Sequence, residues 1–252
     1  MRIARFSVEG EVSFGVVEGD GVAALDSHPF GPLVFTGDRY ALGDVRLLAP
    51  VIPSKVVAIG KNYADHAREM GGEPPADPVM FLKPSTAVVG PGDPIAYPAS
   101  VGRLDYEGEL AVVVGRLARD VPVASALDVV LGYTCANDVT ARDQQLADGQ
   151  WTRGKGYDSF CPLGPWIETA LDPAASRVTT TLNGDVRQDA PTALLLHDVA
   201  ELVAYVTAVM TMLPGDVILT GTPAGIGPMT VGDTVAVTVD GVGTLTNGVV
   251  AR

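Results

Sequence analysis

The chain has 252 residues and a formal net charge of −13, from 30 acidic and 17 basic residues. This charge argues against nucleic acid and anionic membranes as partners, because both require a positively charged protein surface. Hydrophobic residues make up 47% of the chain, enough for a sizeable core, and no apolar stretch is long enough to span a membrane. There is no visible signal peptide and there are only two cysteines, so we expect reduced thiols in a cytoplasmic protein.

The first 50 residues differ from the rest of the chain. They are rich in short β-type segments, and they end in a boundary marked by Pro50 and Pro53. We therefore predict a small N-terminal β domain over residues 1–50 and a larger domain over residues 51–252. The larger domain opens with a short buried strand at 55–60.

A short helix is predicted next, from Tyr63 to Met70, with glycines after it. His66 and Glu69 lie three positions apart in this helix, so their side chains are neighbours. A carboxylate beside an imidazole orients the ring and favours its role as a proton acceptor. The pair suits a base that activates water, although a surface helix with mixed charges is the simpler alternative.

Two lysines stand at positions that suit anion binding. Lys83 ends the apolar stretch 80–82 and precedes a proline, which places its ammonium at a strand end as a candidate for binding substrate. Lys155 lies between two glycines and can reach an oxyanion, although lysines of flexible loops are usually solvated.

The most informative residues are Glu107 and Glu109, which run directly into the apolar segment 111–114. Alternate residues of a strand share a face, so both carboxylates should point the same way and repel each other. Asp138 follows another apolar segment and would add a third carboxylate, unless it caps a helix. Three carboxylates around one site suit a hard cation such as Mg²⁺, Mn²⁺ or Ca²⁺, although two solvent-facing glutamates on an edge strand are the alternative for the pair.

The second half of the chain contains one long amphipathic helix and several hairpin signals. The helix is predicted from Asp198 to Leu213, with Asp198 and Glu201 as a capping box. Asn183-Gly184 and Asp240-Gly241 each separate two β-type segments. Many short strands with few helices predict an α+β, β-dominated fold.

The sequence has no motif for a serine or cysteine nucleophile and none for phosphate binding. The Gly-rich segment 220–227 has neither the P-loop pattern nor a dinucleotide fingerprint, but its amides and the Thr222 hydroxyl could hold a carboxylate. There is no Gly-x-Ser-x-Gly elbow, and Cys161 has no histidine near it in sequence.

From about residue 50 to its end, the chain resembles the fumarylacetoacetate hydrolase family, in its short bacterial and mitochondrial acylpyruvase-like branch. Six ordered motifs carry the resemblance: GKNYADH at 60–66, FLKP at 81–84, DYEGE at 105–109, NDVTARD at 137–143, KGYD at 155–158 and PGDVILTGTP at 214–223. The resemblance implies a mixed β-roll catalytic domain, usually dimeric, preceded by a small N-terminal domain.

The resemblance also implies roles for particular residues. Mg²⁺ or Mn²⁺ would be held by Glu107, Glu109 and Asp138, and His66 with Glu69 would form a water-activating dyad on a lid. Lys155 would contact a substrate oxygen near the metal. Three further residues would line the pocket: Arg142, Gln145 and Thr222.

These features predict a Mg²⁺-dependent hydrolase that cleaves a carbon–carbon bond of acylpyruvate-type 2-oxo acids. One alternative is a 2-hydroxyhepta-2,4-diene-1,7-dioate isomerase or an oxaloacetate-type decarboxylase of aromatic catabolism, because one site can serve all these reactions. An alternative of another class is a non-catalytic carboxylate-binding dimer. The expected partners are a small 2-oxo acid and a second copy of the chain.

Overall fold

The computed structural model describes residues 1–252 and contains twenty β-strands, four α-helices and four short 3₁₀ helices. The strands are β1 Arg2–Val8, β2 Glu11–Glu18, β3 Gly21–Leu25, β4 Phe35–Ala41, β5 Arg46–Leu48, β6 Val56–Gly60, β7 Val79–Lys83, β8 Val88–Val89, β9 Ile95–Tyr97, β10 Leu104–Tyr106, β11 Gly108–Val114, β12 Val130–Asn137, β13 Thr140–Ala141, β14 Cys161–Glu168, β15 Arg177–Leu182, β16 Asp185–Pro191, β17 Val217–Leu219, β18 Gly227–Met229, β19 Thr234–Val239 and β20 Gly243–Ala251. The α-helices are α1 Ala64–Glu69, α2 Arg142–Asp148, α3 Thr152–Lys155 and α4 Val199–Val209. The 3₁₀ helices are Leu42–Asp44, Ser85–Ala87, Val123–Val129 and Thr192–Leu194.

The strands form three sheets, and the predicted β-dominated α+β fold is confirmed. The largest sheet has twelve strands and the order β4-β3-β2-β1-β14-β12-β11-β17-β6-β7, with β5 paired to β1 and β8 paired to β14. A five-stranded sheet has the order β16-β15-β19-β20-β9, and a three-stranded sheet has the order β13-β10-β18. None of the α-helices combines the length and apolar composition that crossing a membrane requires.

The core lies on both faces of β11, which is buried along its whole length between β12 and β17. Leu110, Val112 and Val114 pack on one face, in a cluster that also includes residues of α4 and of the five-stranded sheet. Ala111 and Val113 pack on the other face in a second cluster. Burial on both faces explains why this strand is a continuous apolar run instead of an alternating one.

The N-terminal 50 residues continue the largest sheet. β1 pairs antiparallel with β14, where Arg2 lies opposite Glu168 and Ile3 lies opposite Ile167. Ile3 and Ile167 also share one buried cluster, whereas Phe6 belongs to a smaller cluster of the N-terminal strands. The domain boundary at residue 50 stays a prediction, since hydrogen bonds of the sheet cross from one part to the other.

The long helix is shorter than the sequence predicts. Its capping box is present, because Asp198 accepts the Glu201 amide and Glu201 accepts the Asp198 amide. However, α4 ends at Val209 instead of Leu213, and Met212 forms an isolated antiparallel bridge with Ala118. This tertiary pairing draws the chain into an extended conformation before the apolar periodicity ends.

Both predicted hairpins are present. Asn183 and Gly184 connect β15 to β16 with φ angles of 54° and 89°, as a two-residue turn with left-handed backbone requires. The segment around Asp240 and Gly241 connects β19 to β20, which pair antiparallel.

Four strand ends that carry candidate residues meet at one edge of the largest sheet. β6 and β17 are parallel, β11 is antiparallel to β17, and β12 is antiparallel to β11. The carboxyl ends of β6, β17 and β12 therefore lie beside the amino end of β11. This edge is where the candidate site forms.

Candidate metal centre and adjoining cavity

Glu107, Glu109 and Asp138 form a cluster of buried carboxylates whose possible ligand atoms all lie within 4.8 Å of one another. Glu109 lies near the start of β11, Glu107 lies in the break between β10 and β11, and Asp138 directly follows β12. Asp138 does not cap a helix, because α2 begins at Arg142 with Ala141 at its N-cap. The structure thus brings together the three residues predicted to bind a metal.

Two of the three carboxylates are paired with buried cations. The ammonium of Lys155 lies 2.7 Å from Glu107 Oε2 and 2.5 Å from Asp138 Oδ2. The Lys83 ammonium lies 2.5 Å from the other oxygen of Asp138, and Arg142 Nη2 contacts Glu107 Oε1. Glu107 and Asp138 are therefore neutralised by the protein itself.

Glu109 is different, because no lysine, arginine or histidine nitrogen lies within 4.0 Å of its carboxylate. It accepts one hydrogen bond, from the Gly221 amide at 2.6 Å. Burial raises the pKa of Glu109 well above its usual range, and the charges of Asp138 and Glu107 raise it further. The cluster thus has one carboxylate that has no cationic partner in the protein and whose charged form is disfavoured.

The pKa of Glu107 moves in the opposite direction. Burial raises it, but the charges of Lys155 and Arg142 outweigh burial and hold the pKa below its usual range. A divalent cation would stabilise the charged form of Glu109, and the donor set contains only oxygen, which Mg²⁺, Mn²⁺ and Ca²⁺ prefer. The residues present therefore fit a hard divalent cation.

His66 and Glu69 lie beside this cluster, on α1 directly after β6. His66 Nδ1 lies 3.1 Å from Glu69 Oε2, and the His66 side chain is buried. The other oxygen of Glu69 accepts the Gly225 amide at 3.0 Å. Glu69 is thus fixed from the far side, and it orients the imidazole as the sequence predicts.

A cavity of about 110 Å³ adjoins the carboxylates. Its lining residues are Ile59, Gly60, Lys61, His66, Met70, Glu107, Glu109, Arg142, Gln145, Leu146, Trp151, Lys155 and Thr222. Arg142 and Gln145 lie one helical turn apart on α2, and Arg142 Nη1 donates to Gln145 Oε1 at 2.5 Å. Seven of the ten predicted site residues line the cavity, while Glu69, Lys83 and Asp138 contact residues around it.

Both lysines occupy positions that differ from the simplest sequence interpretation. Lys83 does not line the cavity, and its ammonium contacts Asp138 and, at 3.2 Å, the carbonyl of Val139. Lys155 ends α3 and is only 2% exposed, with its ammonium 5.0 Å from the Phe81 ring centroid. Neither lysine is a solvated loop residue, because carboxylates hold both ammonium groups inside the protein.

The Gly-rich loop after β17 does hold a carboxylate, but that carboxylate belongs to the protein. The Gly221 amide binds Glu109, as described above. Thr222 Oγ1 donates to the Gly108 carbonyl at 2.9 Å and accepts from Gln188 Nε2 at 2.7 Å. The loop therefore fixes the amino end of β11, and with it Glu109.

One buried residue of the site was not singled out from the sequence. Asp105 is fully buried and accepts Arg142 Nε at 2.8 Å and Arg103 Nε at 2.7 Å. It therefore holds the guanidinium that contacts Glu107. The signal was present, since Asp105, Glu107 and Glu109 form a run of alternate acidic residues.

Both cysteines are buried, and neither lines the cavity. Burial raises the pKa of both the Cys135 and the Cys161 thiol to about 12, so neither forms a thiolate at neutral pH. This agrees with the absence of a cysteine motif in the sequence.

Fold and site together define a β-dominated protein with a buried cluster of carboxylates that could hold a metal ion and an adjacent histidine–carboxylate pair. The chain belongs to the fumarylacetoacetate hydrolase family: residues 55–250 match the family model of the fumarylacetoacetate (FAA) hydrolase C-terminal domain. Residues 1–50 match the model of an Rv2993c-like N-terminal domain.

Similar proteins include both isomerases and hydrolases. Protein Rv2993c of Mycobacterium tuberculosis is 55% identical over 262 residues, which cover 100% of this chain and 99% of that protein. The crystal structure of 5-carboxymethyl-2-hydroxymuconate delta-isomerase from Mycobacterium smegmatis is 55% identical, with a TM-score of 0.95 and 100% of both chains covered. Maleylpyruvate hydrolase from Sphingobium sp. SYK-6, in complex with manganese (II) ion and pyruvate, is 35% identical, with a TM-score of 0.83 and coverage of 100% of this chain and 99% of that one.

Proposed function

We propose that this chain is a Mg²⁺-dependent hydrolase that cleaves a carbon–carbon bond of acylpyruvate-type 2-oxo acids. The observation that carries the proposal is the buried His66, which is paired with Glu69 and lines the same cavity as Glu107 and Glu109 of the carboxylate cluster. Support comes from the similar maleylpyruvate hydrolase, whose structure contains manganese and pyruvate. Pyruvate is the 2-oxo acid that the proposed reaction releases.

A divalent cation bound by Glu107, Glu109 and Asp138 would supply a Lewis acid for the oxygens of a 2-oxo acid. We propose Mg²⁺, with Mn²⁺ or Ca²⁺ as alternatives that have the same preference for oxygen ligands.

The protein's own part in hydrolysis begins at the histidine. Glu69 holds Nδ1 of His66 in its protonated form, which leaves Nε2 to accept a proton from water. The water oxygen forms a bond to the distal carbonyl carbon of the substrate. The bond from that carbon to its neighbour then breaks, and the neighbour takes a proton to give pyruvate and a carboxylic acid.

The cations around the cavity would bind and orient the substrate. Lys155 and Arg142 line the cavity with their charges fixed by carboxylates, so they present donors in defined positions. Gln145 and Thr222 would contribute polar contacts. Lys83, predicted to bind substrate, would instead act through Asp138, which its ammonium contacts.

The first test is turnover of acetylpyruvate by metal-stripped protein with and without Mg²⁺, followed by assays for pyruvate and acetate. We expect Mg²⁺-dependent formation of both products. His66→Ala should lower kcat about 100-fold or more, because general-base catalysis contributes about that much. Mg²⁺ affinity should stay within about twofold of the wild-type value, because His66 is not one of the three clustered carboxylates.

His28→Ala is the matched control, because His28 is exposed and lies outside the cavity. It should leave kcat unchanged. Full hydrolase activity in His66→Ala would contradict the assigned role of His66.

A second candidate is isomerisation of a hydroxydienedioate or decarboxylation of oxaloacetate. The observation that favours it is the 55% identity to a delta-isomerase, which exceeds the 35% identity to the hydrolase. The products distinguish the reactions: isomerisation gives a tautomer of the substrate, decarboxylation of oxaloacetate gives CO₂ and pyruvate, and hydrolysis gives pyruvate and a second carboxylic acid. A non-catalytic carboxylate-binding protein would bind ligand in calorimetry without turnover.

We also propose that the chain forms a homodimer, as the resemblance to its family implies. Sedimentation equilibrium measures this directly. A single species with the monomer mass would overturn the proposal.

A further inference from the structure

Gly108, the residue between the two clustered glutamates, is held by side chains and not by β17. β17 pairs with β11 only over residues 111–113, so this pairing ends before Gly108 is reached. The Gly108 amide instead donates to Gln188 Oε1 at 2.9 Å, and the Gly108 carbonyl accepts Thr222 Oγ1 at 2.9 Å. The backbone that carries both glutamates therefore depends on two side chains from distant segments of the chain.

Gln188 closes a ring of hydrogen bonds around Gly108. Its nitrogen Nε2 donates to Thr222 Oγ1 and to the Pro223 carbonyl, both at 2.7 Å. The orientation of this side-chain amide is fixed, because Oε1 faces an N–H donor and Nε2 faces a carbonyl acceptor. The ring runs from the Gly108 amide to Gln188, on to Thr222, and back to the Gly108 carbonyl. Gln188 thus joins the strand of the glutamates to the Gly-rich loop.

Gln188 comes from β16, the edge strand of the five-stranded sheet, and it is 1% exposed, whereas the other polar residues of this strand are exposed. Thr180 of β15 pairs with Gln188. The next residue, Thr181, pairs with Val186, so Arg187 is an extra residue of β16. A bulge of this kind changes the direction of neighbouring side chains and is common beside active sites. The local irregularity of β16 therefore accompanies its one buried polar side chain.

The Gly-rich loop packs against the same bulge at a second point. Gly225 has a φ angle of 101°, and a Cβ at this position would lie 2.1 Å from the Arg187 carbonyl oxygen. The loop binds Glu109 through the Gly221 amide and Glu69 through the Gly225 amide. The contact with β16 therefore supports a loop that holds one member of the carboxylate cluster and the partner of the histidine.

The carboxylate cluster needs support of this kind because its members repel each other. Their possible ligand atoms all lie within 4.8 Å of one another, where like charges oppose ionisation and favour separation. Groups that hold metal ligands in place contribute strongly to metal affinity. Asn137 Oδ1 accepts the Glu107 amide at 2.9 Å and fixes the backbone before Gly108, while Gln188 and Thr222 fix Gly108 itself.

We propose that Gln188 is a positioning residue of the metal centre. It fixes Gly108 and the Gly-rich loop, and through them it sets the affinity of the three carboxylates for a divalent cation. Gln188 does not line the cavity, so it acts without touching a substrate. The inference rests on the metal centre of the proposed function and holds whichever reaction the chain catalyses.

The test measures Mn²⁺ binding to the full, metal-stripped chain by calorimetry, at a temperature where circular dichroism shows each variant to be folded. Gln188→Met removes the amide at similar length, and Thr222→Val removes the hydroxyl at similar shape. Asn247→Leu is the matched control. Asn247 is 2% exposed, and its amide donates to two backbone carbonyls at 2.9 Å each, outside the cavity.

We expect Gln188→Met to weaken Mn²⁺ binding about tenfold, as the loss of a group that supports metal ligands predicts. Thr222→Val should also weaken it about tenfold. The double variant should again lose about tenfold and not about 100-fold, because both side chains act through Gly108. Asn247→Leu should lower the midpoint of urea unfolding, as Gln188→Met does, but should leave Mn²⁺ affinity within about twofold.

Several results would overturn the inference. Unchanged Mn²⁺ affinity in Gln188→Met would do so, as would an equal loss of affinity in Asn247→Leu or a loss of about 100-fold in the double variant. If Gln188→Met does not fold, Thr222→Val decides, because unchanged affinity in that variant would show that the ring does not position the ligands.

Failure of the proposed function is a separate result. If the unchanged chain binds no Mn²⁺, the metal centre is wrong and the inference fails with it. If Mn²⁺ binding follows the expected pattern in a chain that hydrolyses no acylpyruvate, the result supports the role of Gln188 and contradicts the proposed hydrolase.

Discussion

At the scale of single residues, the site is decided by which carboxylates have partners. Glu107 contacts Lys155 and Arg142, whereas Glu109 has one backbone amide and no cation. Both glutamates are buried to a similar degree. The pKa of Glu107 is therefore lowered and the pKa of Glu109 is raised, because only Glu107 has cationic neighbours.

The contrast between these two glutamates is testable. Burial and the neighbouring charges raise the pKa of Glu109 and disfavour its charged form, so Glu109→Gln, which replaces this carboxyl by a neutral amide, should leave the free energy of unfolding without metal the same or raise it by about 1 kcal/mol. Mg²⁺ or Mn²⁺ affinity should fall at least about tenfold, because one ligand oxygen loses its charge. Urea denaturation in a chelator and calorimetry with the metal measure the two effects.

Glu107→Gln is the matched control. It removes one of the two carboxylates that pair with Lys155 and one of the two that pair with Arg142, and it should destabilise the metal-free chain by about 3 kcal/mol. Equal destabilisation by the two substitutions would contradict the charge balance described for the cluster.

At the scale of elements, strand ends are held in place by buried polar residues, and Asp216 is the clearest example. It directly precedes β17 and accepts the Ser54 amide at 2.9 Å, the Leu213 amide at 2.8 Å and the Lys55 ammonium at 2.6 Å. Asp216 thus joins the start of β6 to the start of β17. These two strands carry α1 and the Gly-rich loop at their other ends.

The stability that Asp216 provides should depend on pH. Burial raises its pKa, but the Lys55 ammonium and the amide donors outweigh burial and lower the pKa below its usual value. A lowered pKa in the folded state means that the stabilisation is complete above the unfolded pKa of about 3.9 and is lost as the pH falls through the folded value.

Asp216→Asn should therefore cost about 2 kcal/mol at pH 7, where the charge is present in the unchanged chain. The difference in the free energy of unfolding between the wild-type chain and Asp216→Asn should stay constant down to about pH 5 and become smaller below about pH 4. Urea denaturation at several pH values measures it, with the exposed Asp128→Asn as the control. If this difference in the free energy of unfolding became larger at low pH, the ionised form of Asp216 would not be the form that stabilises the fold.

At the scale of the whole molecule, the N-terminal strands and the strands that carry the candidate site share one sheet. The pairing of β1 with β14 and the contact of Ile3 with the cluster around Ile167 join residues 1–50 to the rest of the chain. None of residues 1–50 lines the cavity. Substitutions of buried residues in this segment should therefore lower the free energy of unfolding and leave kcat nearly unchanged.

Ile3→Ala should lower the free energy of unfolding by about 2–4 kcal/mol, because Ile3 is 1% exposed and its loss leaves a cavity in a shared core. The unfolding transition should remain single, and kcat should change less than about twofold. Val12→Ala, at a position that is 51% exposed, is the control and should have little effect. Two separate transitions, with only the first moved by Ile3→Ala, would show that residues 1–50 unfold independently.

Local patterns in the sequence determined the features that depend on neighbouring residues. The capping box of α4, the Asn183-Gly184 turn and the proximity of His66 to Glu69 each depend on residues within three positions. The continuous apolar run of β11 likewise indicated a buried strand. These predictions are confirmed because helix and turn geometry is set by short-range backbone and side-chain contacts.

Only the tertiary structure decided which charges meet and where regular elements stop. Lys83 lies 55 residues from the Asp138 it contacts, and the bridge from Ala118 to Met212 ends the helical path of α4. The register between β11, β12 and β17 brings these distant segments together, and no local pattern encodes it. Which carboxylates of the cluster have a cationic partner depends on their neighbours in three dimensions, so the sequence alone could name the cluster but not its charge balance.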